Sequence, residues 1–407
     1  MKESKILTFY NIKQVCFDGI EKDSYSKSPL KPYLLLKKIK KDGYGKMLEI
    51  NGNFEPFQRS DFYLAHKKRY VDNVFDKKGN YNSNSVPWSK NLVESLTYTN
   101  SSLYNAIRHA IENPSRVTFS PTSGFHHAQP KNGSGFCTFS GQVIASTKIY
   151  RELGMVGCYL DLDGHFGNSI EDSRTFVKDL DYSVPVYANI NPVGTGDLYV
   201  EFLQSKLKLI EKAILKNKIH YLVWCHGADS HEDDDLGHQC STKHWLKCSE
   251  IFYNWVNEVE QKVGRPIPVT LALFGGYRKD DYNSVLSLHM NDLIKCSNIL
   301  CGGKFEEKIE VKDKPKPIVP KYEKSVYQKT NTGSWKDEDV YYSSDAAAFD
   351  RQMELEYKYG SMNDESFEAF EEKEHNKRKE PKENYSTWKE WYKTERDKKR
   401  LKLFGVL

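Results

Sequence analysis

Val156 to Asn168 reads V-G-C-Y-L-D-L-D-G-H-F-G-N, an apolar run that gives way abruptly to acids, a histidine and glycines. The run Val156 to Leu162 has the length of a buried strand. Three other short apolar runs end in the same manner. Val117 to Phe119 leads to Gly124-Phe125-His126-His127-Ala128, and Tyr221 to Cys225 leads to Gly227-Ala228-Asp229-Ser230-His231, continuing to Asp234, Asp235, Leu236 and Gly237. Val269 to Phe274 leads to Gly275-Gly276-Tyr277. Helical patterns lie around them, at Leu92 to Glu112, Gln142 to Leu153, Leu198 to Lys216, Lys243 to Val263 and Tyr282 to Cys296. Strands alternating with crossover-length helices specify an α/β class, a parallel sheet covered on both faces. Open sheets of this kind place their ligand crevice at the carboxyl ends of the strands, where all four polar clusters fall.

The clusters hold the residue types of a metal-assisted hydrolase. In extended backbone alternate side chains share a face, so Asp161, Asp163 and His165 project together and can supply one oxygen and one nitrogen ligand from a single strand end. Asp229, leaving its strand at a Gly-Ala turn, completes a three-ligand site with an open position. A shell of two acids and one histidine suits zinc and also accepts iron or cobalt. The pair His126-His127 offers imidazoles that titrate near working pH, suited to taking a proton from metal-activated water and passing it to an amine. Asp161 and Asn168 stand where they can orient those imidazoles from behind. Tyr277, after Gly275-Gly276, offers a phenolic donor to an oxyanion. Any one cluster alone reads as a turn, a cap or a surface pair; four in this order on strand ends do not.

Composition sets bounds around this core. A length of 407 residues allows one or two units, since single α/β domains of about 250 to 300 residues are common. A formal charge of +4 is too small to point to nucleic acid. The first ten residues contain no apolar leader, and no stretch approaches the roughly 18 apolar residues of a membrane span, so a soluble, cytoplasmic protein is expected. The eight cysteines are scattered without a C-x-x-C pair, in keeping with a reduced compartment. Charge concentrates beyond Lys304, where Lys/Glu/Pro clusters (Lys312 to Pro320) precede charged helical patterns at Ala346 to Tyr359 and Glu365 to Arg378. The sequence thus divides into a catalytic domain over 1–305 and a charged extension over 306–407, partly helical or disordered. Trp388, Trp391 and Tyr392 offer anchors for a terminal helix, and the extension is a candidate binding segment for another protein.

The same motifs carry a family resemblance. Gly124 to Ala128 with Gly135-Phe136-Cys137, the D-L-D-G-H-F-G-N of 161–168, the G-A-D-S-H-x-x-D-x-L-G of 227–237 and Gly275-Gly276-Tyr277 resemble the successive motifs of zinc-dependent histone deacetylases. Asn168 is similar to the class II and acetylpolyamine amidohydrolase branches, and Ala65-His66 to Tyr70-Val71 with Phe75 resembles the family's first helix region. The likeness covers about residues 30 to 300. It implies an arginase-deacetylase-like three-layer fold, with a central parallel sheet of about eight strands between helical layers. It further implies Asp163, His165 and Asp229 as zinc ligands, and His126 and His127 as the catalytic pair with Asp161 behind His126. Tyr277 would be the oxyanion donor, Phe136 a wall of the substrate tunnel, and Gly135 and Gly275 its neighbours. Pro192 stands where relatives often have an aromatic facing Phe136. A structural potassium ion near the Asp161 segment is also implied. The substrate would be an acetylated lysine side chain or an acetylated polyamine. Departures are Phe166 for a histidine, Ser169 for a glycine, Asp235 for a proline and Ser140-Gly141 for Asn-Asp.

Two rivals use the same residues differently. A binuclear manganese ureohydrolase of the arginase type needs a second aspartate two residues after Asp229, where this chain has His231; Asp233 to Asp235 read as loop or helix-capping carboxylates. A non-catalytic module that binds an acetylated ligand would have no need for a complete set of metal and proton-transfer residues. His66, His109, His220, His226, His238, His244, His289 and His375 read as surface or core histidines.

Overall fold

The structure is a computed structural model, which describes residues 2–18, 26–79, 84–122 and 124–314. Sixteen elements alternate along it. They are β1 (Ile6–Phe9), α1 (Lys31–Lys41), β2 (Leu48–Asn51), α2 (Lys68–Asp76), α3 (Lys90–Glu112), β3 (Val117–Ser120), α4 (Gly141–Leu153), β4 (Gly157–Asp161), α5 (Ser169–Ser173), α6 (Leu180–Ser183), β5 (Asn189–Ile190), α7 (Asp197–Leu215), β6 (Tyr221–His226), α8 (Thr242–Val263), β7 (Val269–Leu273) and α9 (Tyr282–Leu300).

The strands form one parallel sheet of seven among the described residues, ordered β2-β1-β3-β7-β6-β4-β5, where about eight strands were expected. Residues of β3, β4, β6 and β7 are buried throughout, as apolar runs covered on both faces must be. Helices flank the sheet and make this a three-layer α/β fold. On the helices the caps are local and legible: Ser89 accepts from Leu92 N at the start of α3, and Ser241 accepts from His244 N at the start of α8. Gly154 and Gly264 close α4 and α8 at positive φ.

One consequence of the strand order positions the site. The four strands whose ends carry polar clusters, β3, β7, β6 and β4, are consecutive neighbours, so four segments distant in sequence meet over one short stretch of sheet. The sequence reading found these four and missed β1, β2 and β5, which have four, four and two residues. Residues 304–312, near the end of the described residues, run along α9 and are hydrogen-bonded to it. The helical patterns of the extension and Trp388, Trp391 and Tyr392 lie outside the described residues.

Candidate metal centre and active site

Asp163, His165 and Asp229 come together with one ligand atom each, all within 4.8 Å of one another. Both carboxylates are buried, while the His165 side chain keeps 26% of its surface, so the group is open on the imidazole side. His165 Nδ1 lies 3.2 Å from Asp163 Oδ1 and 3.0 Å from Asp229 Oδ2. Backbone amides fix the remaining oxygens: Gly164 N donates to Asp229 Oδ1 (3.0 Å) and Gly275 N to Asp163 Oδ2 (2.9 Å). Glycine is required around them, since a Cβ at Gly227 would come within 2.8 Å of the Asp163 Cα and one at Gly275 would overlap the Asp229 carboxyl.

Electrostatics define the charge this cluster favours. Burial and the neighbouring Asp163 push the Asp229 carboxyl up to about 7 against the pull of His165. Burial would also raise Asp163, but His126 and His165 hold it well below the usual carboxylate range. Burial opposes charge on His165 as well, yet its hydrogen bonds to both acids push it up to about 11. Positive charge between the two buried acids is therefore favoured. A divalent cation would supply it more fully, and the donor set of two oxygens and one nitrogen with an open side fits one.

Beside this group sit His126 and His127, with ring centroids 4.1 Å apart. His126 Nδ1 faces Asp161 Oδ2 at 3.1 Å, and its Nε2 lies 3.5 Å from Asp163 Oδ1. His127 Nδ1 is 2.9 Å from Asn168 Oδ1, while the Asn168 amide donates to Asp172 at 2.6 Å. That second bond fixes Asn168 Oδ1 as an acceptor, so His127 Nδ1 carries the proton and Nε2 is a free acceptor. The two imidazoles diverge. Burial lowers His126, but Asp163 and Asp161 outweigh it and raise its pKa to about 9; burial and the neighbouring His126 push His127 down to about 3. Asp161 Oδ1 is buried with no hydrogen-bond partner among the described residues, which leaves one oxygen available to a monovalent ion.

Tyr277 is buried, its ring 5.4 Å from that of Phe136 and 6.2 Å from that of His165. Burial and the nearby Asp163 and Asp229 raise its hydroxyl well above the usual tyrosine range, so it remains a donor. Phe136 adopts φ of 63°, next to Gly135 at 48°, and a Cβ on Gly135 would press into the His127 ring. Pro192 is half-buried in the short connection between β5 and α7, and the ring beside Phe136 is Tyr277. Where the resemblance puts Gly275 against the substrate, its amide serves Asp163 and its carbonyl accepts from Ala228 N and His289 Nε2.

The sequence did not show the partners of several supporting residues. Asp233 to Asp235 are loop carboxylates, one of the two readings the sequence allowed, and they cap no helix. Asp234 accepts from Tyr277 N (2.8 Å) and Asp235 from Lys279 N (2.7 Å), while Asp233 stands 3.7 Å from the Arg278 guanidinium. Lys31, fully buried at the start of α1, donates to the Phe274 carbonyl, and burial lowers it to about 8 against the attraction of Asp229 and Asp163. Two departures from the family pattern answer one another, since Ser169 Oγ and Ser140 Oγ are hydrogen-bonded at 2.5 Å. His66 is a core histidine that accepts from Ser140 N and contacts Gln129 O. His231, two residues after Asp229 where a binuclear site would need an acid, turns to Thr242 Oγ1 and the Asp233 amide. All eight cysteines are unpaired. No helix among the described residues is long and apolar enough to cross a membrane.

Residues 26–182 match the family model described as the histone deacetylase domain. The chain is 31% identical over 94 residues to Histone deacetylase 8 of Xenopus laevis, covering 23% of this chain and 29% of that protein. A histone deacetylase-like domain is thus recognised in this chain over residues 26–182. It is also 33% identical over 97 residues to Histone deacetylase 14, chloroplastic, of Arabidopsis thaliana, covering 20% of this chain and 23% of the relative. These matches span less than a third of the length of the curated relatives. A solved structure titled "Crystal Structure of HDA15 HD domain" is similar in fold, with a TM-score of 0.56 at 13% identity over 74% of this chain and 90% of that one. The histone deacetylase-like fold therefore extends well beyond the segment matched by sequence.

Proposed function

We propose that this histone deacetylase-like chain is a metal-dependent amidohydrolase that removes the acetyl group from acetyl-lysine or a related N-acetylated amine. The observation that carries the reading is the convergence of Asp163, His165 and Asp229 within 4.8 Å beside two oriented imidazoles. Zinc is the proposed cofactor, with iron or cobalt compatible with the same shell, and it would supply Lewis acidity toward water and the amide carbonyl. A potassium ion at the Asp161 segment is proposed as a structural element, supported by the unpartnered Asp161 Oδ1.

The chain's own groups divide the work. His127, held neutral with Nδ1–H on Asn168, takes a proton from the attacking water at Nε2. His126, backed by Asp161, holds positive charge close to the developing oxyanion. Tyr277 donates its hydroxyl to that oxygen, and the proton held on His127 returns to the amine nitrogen as the C–N bond breaks, giving acetate and free amine. Phe136 and Tyr277, whose rings lie 5.4 Å apart, would line the approach of the acetylated side chain; Gly135, Gly275 and Pro192 are proposed there on the family resemblance alone. The test is acetate release by the full chain from acetyl-lysine peptides, acetylputrescine and acetylspermidine. Release from one of these is expected. No release from any of them, with metal bound, leaves the non-catalytic reading in possession.

A further inference from the structure

Tyr277 follows two glycines, and Gly276 has φ of 136°, a region that other residues rarely adopt. Such a pivot does not by itself aim a side chain, so the ring must be fixed from the residues after it. On one side Asp234 and Asp235 accept from the amides of Tyr277 and Lys279 at 2.8 and 2.7 Å. On the other side stands Arg278, whose side chain is only 3% exposed. Its Nε and Nη2 donate to the two oxygens of Asp280 at 2.9 and 3.1 Å, and its Nη1 donates to the Lys312 carbonyl.

Lys312 is the end of a strap held by a buried polar stripe on α9. Asn298 pairs with both backbone groups of Phe305 (2.9 and 2.8 Å), and Asn291 with both of Lys308 (3.1 and 2.9 Å). Ser287 accepts from Glu310 N at 2.8 Å and Ser284 from Lys312 N at 3.0 Å. Residues 284, 287, 291 and 298 repeat at helical spacing and share one face. Ser284, Ser287 and Asn291 are buried, so the strap backbone supplies the partners that buried polar groups require. The strap's register is therefore set residue by residue along α9, and it delivers one carbonyl to Arg278.

We propose that Arg278 is a positioning residue for Tyr277 and that the strap of residues 304–312 is the support it works against. This rests on the role given to Tyr277 above. The strap joins the chain's C-terminal extension to the turn bearing the oxyanion donor, so whatever loosens the strap loosens Tyr277.

The test uses the full-length chain in three forms, Arg278→Met, Arg278→Lys and the unlatching pair Ser284→Ala with Asn291→Ala. Amide exchange over residues 276–280, kcat and KM on an acetyl-lysine peptide, and melting temperature are measured for each. Arg278→Met and the unlatching pair should both speed exchange in this turn. Both should lower kcat roughly 10- to 100-fold, the scale of a small misplacement at a reacting centre, with KM nearly unchanged. Arg278→Lys should recover part of the loss. Unchanged exchange in both variants overturns the proposal, as does an active wild type whose variants exchange faster yet keep their kcat. Failure of the deacetylase reading shows separately, as a wild type that releases no acetate; the exchange data then decide alone whether Arg278 and the strap hold the turn.

Discussion

At Tyr277 the proposed work is confined to the transition state. Charge builds on the carbonyl oxygen only as water adds, and a buried phenol whose pKa is held high by burial and two nearby acids stays a donor throughout. Tyr277→Phe should therefore lower turnover roughly 10²- to 10³-fold, as for loss of one oxyanion donor, with little change in KM or metal content. Steady-state kinetics with metal analysis of the same samples check this; near-parental turnover would make Tyr277 a turn residue. His66 gives a second prediction at this scale. It is buried and accepts from Ser140 N at Nε2, and burial lowers its pKa from 6.5 to about 4. The unfolded chain therefore binds the proton first as pH falls. His66's contribution is complete above pH 6.5 and declines between 6.5 and about 4, by about 3 kcal/mol in all. Denaturant unfolding of wild type and His66→Gln across that range should show the difference between them shrinking toward low pH. The grouping of Asp163, His165 and Asp229 beside the His126-His127 pair was legible because their types and spacing carry chemistry, and the structure brings these side chains together. Lys31 was not legible, and for His289 and Asp233 to Asp235 the partners were not, because these are contacts with the 274–279 turn made across long sequence separations.

Among the elements, the long helical patterns read true, and so did the four short runs that lead into polar clusters. The helical patterns before β3, β4, β7 and the strap were visible as periodicity, and Tyr282 to Cys296 proves to be most of α9. Strands β1 and β2 have four residues each, no fewer than β3, but no cluster of acids, histidines and glycines follows them to mark their ends. The polar stripe on α9 was present in the sequence as Ser284, Ser287, Asn291 and Asn298, but it reads as a solvated face unless the strap that covers it is known. The strand ends themselves are tightly specified by close approach. At Gly275 an added methyl would meet the Asp229 carboxyl and disturb the amide that holds Asp163. Gly275→Ala is therefore expected to weaken metal affinity about 10- to 100-fold, the usual cost of losing a group that orients a ligand, while far-ultraviolet dichroism stays near parental. Unaltered affinity in a competition titration would show that the turn yields without cost.

For the whole molecule, the α/β class and the crevice followed from four polar clusters on four strand ends, and the strand order β3-β7-β6-β4 explains why they meet. A boundary near residue 305 was expected from composition alone. The hydrogen bonds of Phe305 to Lys312 along α9 lead us to propose that the catalytic body runs through the strap and that the extension begins beyond it. A chain ended after Lys314 should retain soluble, active protein. One ended after Gly303 should lose several kcal/mol of stability, because each buried side chain stripped of its backbone partner costs about 1 to 3 kcal/mol. Equal stability of the two would place the strap outside the body.

The central claim is that Asp163, His165 and Asp229 hold one divalent ion on which amide hydrolysis depends. The direct measurement is metal stoichiometry and acetate release on the same full-length samples, before and after chelation and for Asp229→Ala. One ion per chain is predicted, with acetate release that disappears on chelation, returns with zinc, and is absent together with the metal in Asp229→Ala. Two manganese ions per chain with release of urea, or acetate release that survives complete removal of metal, would contradict it.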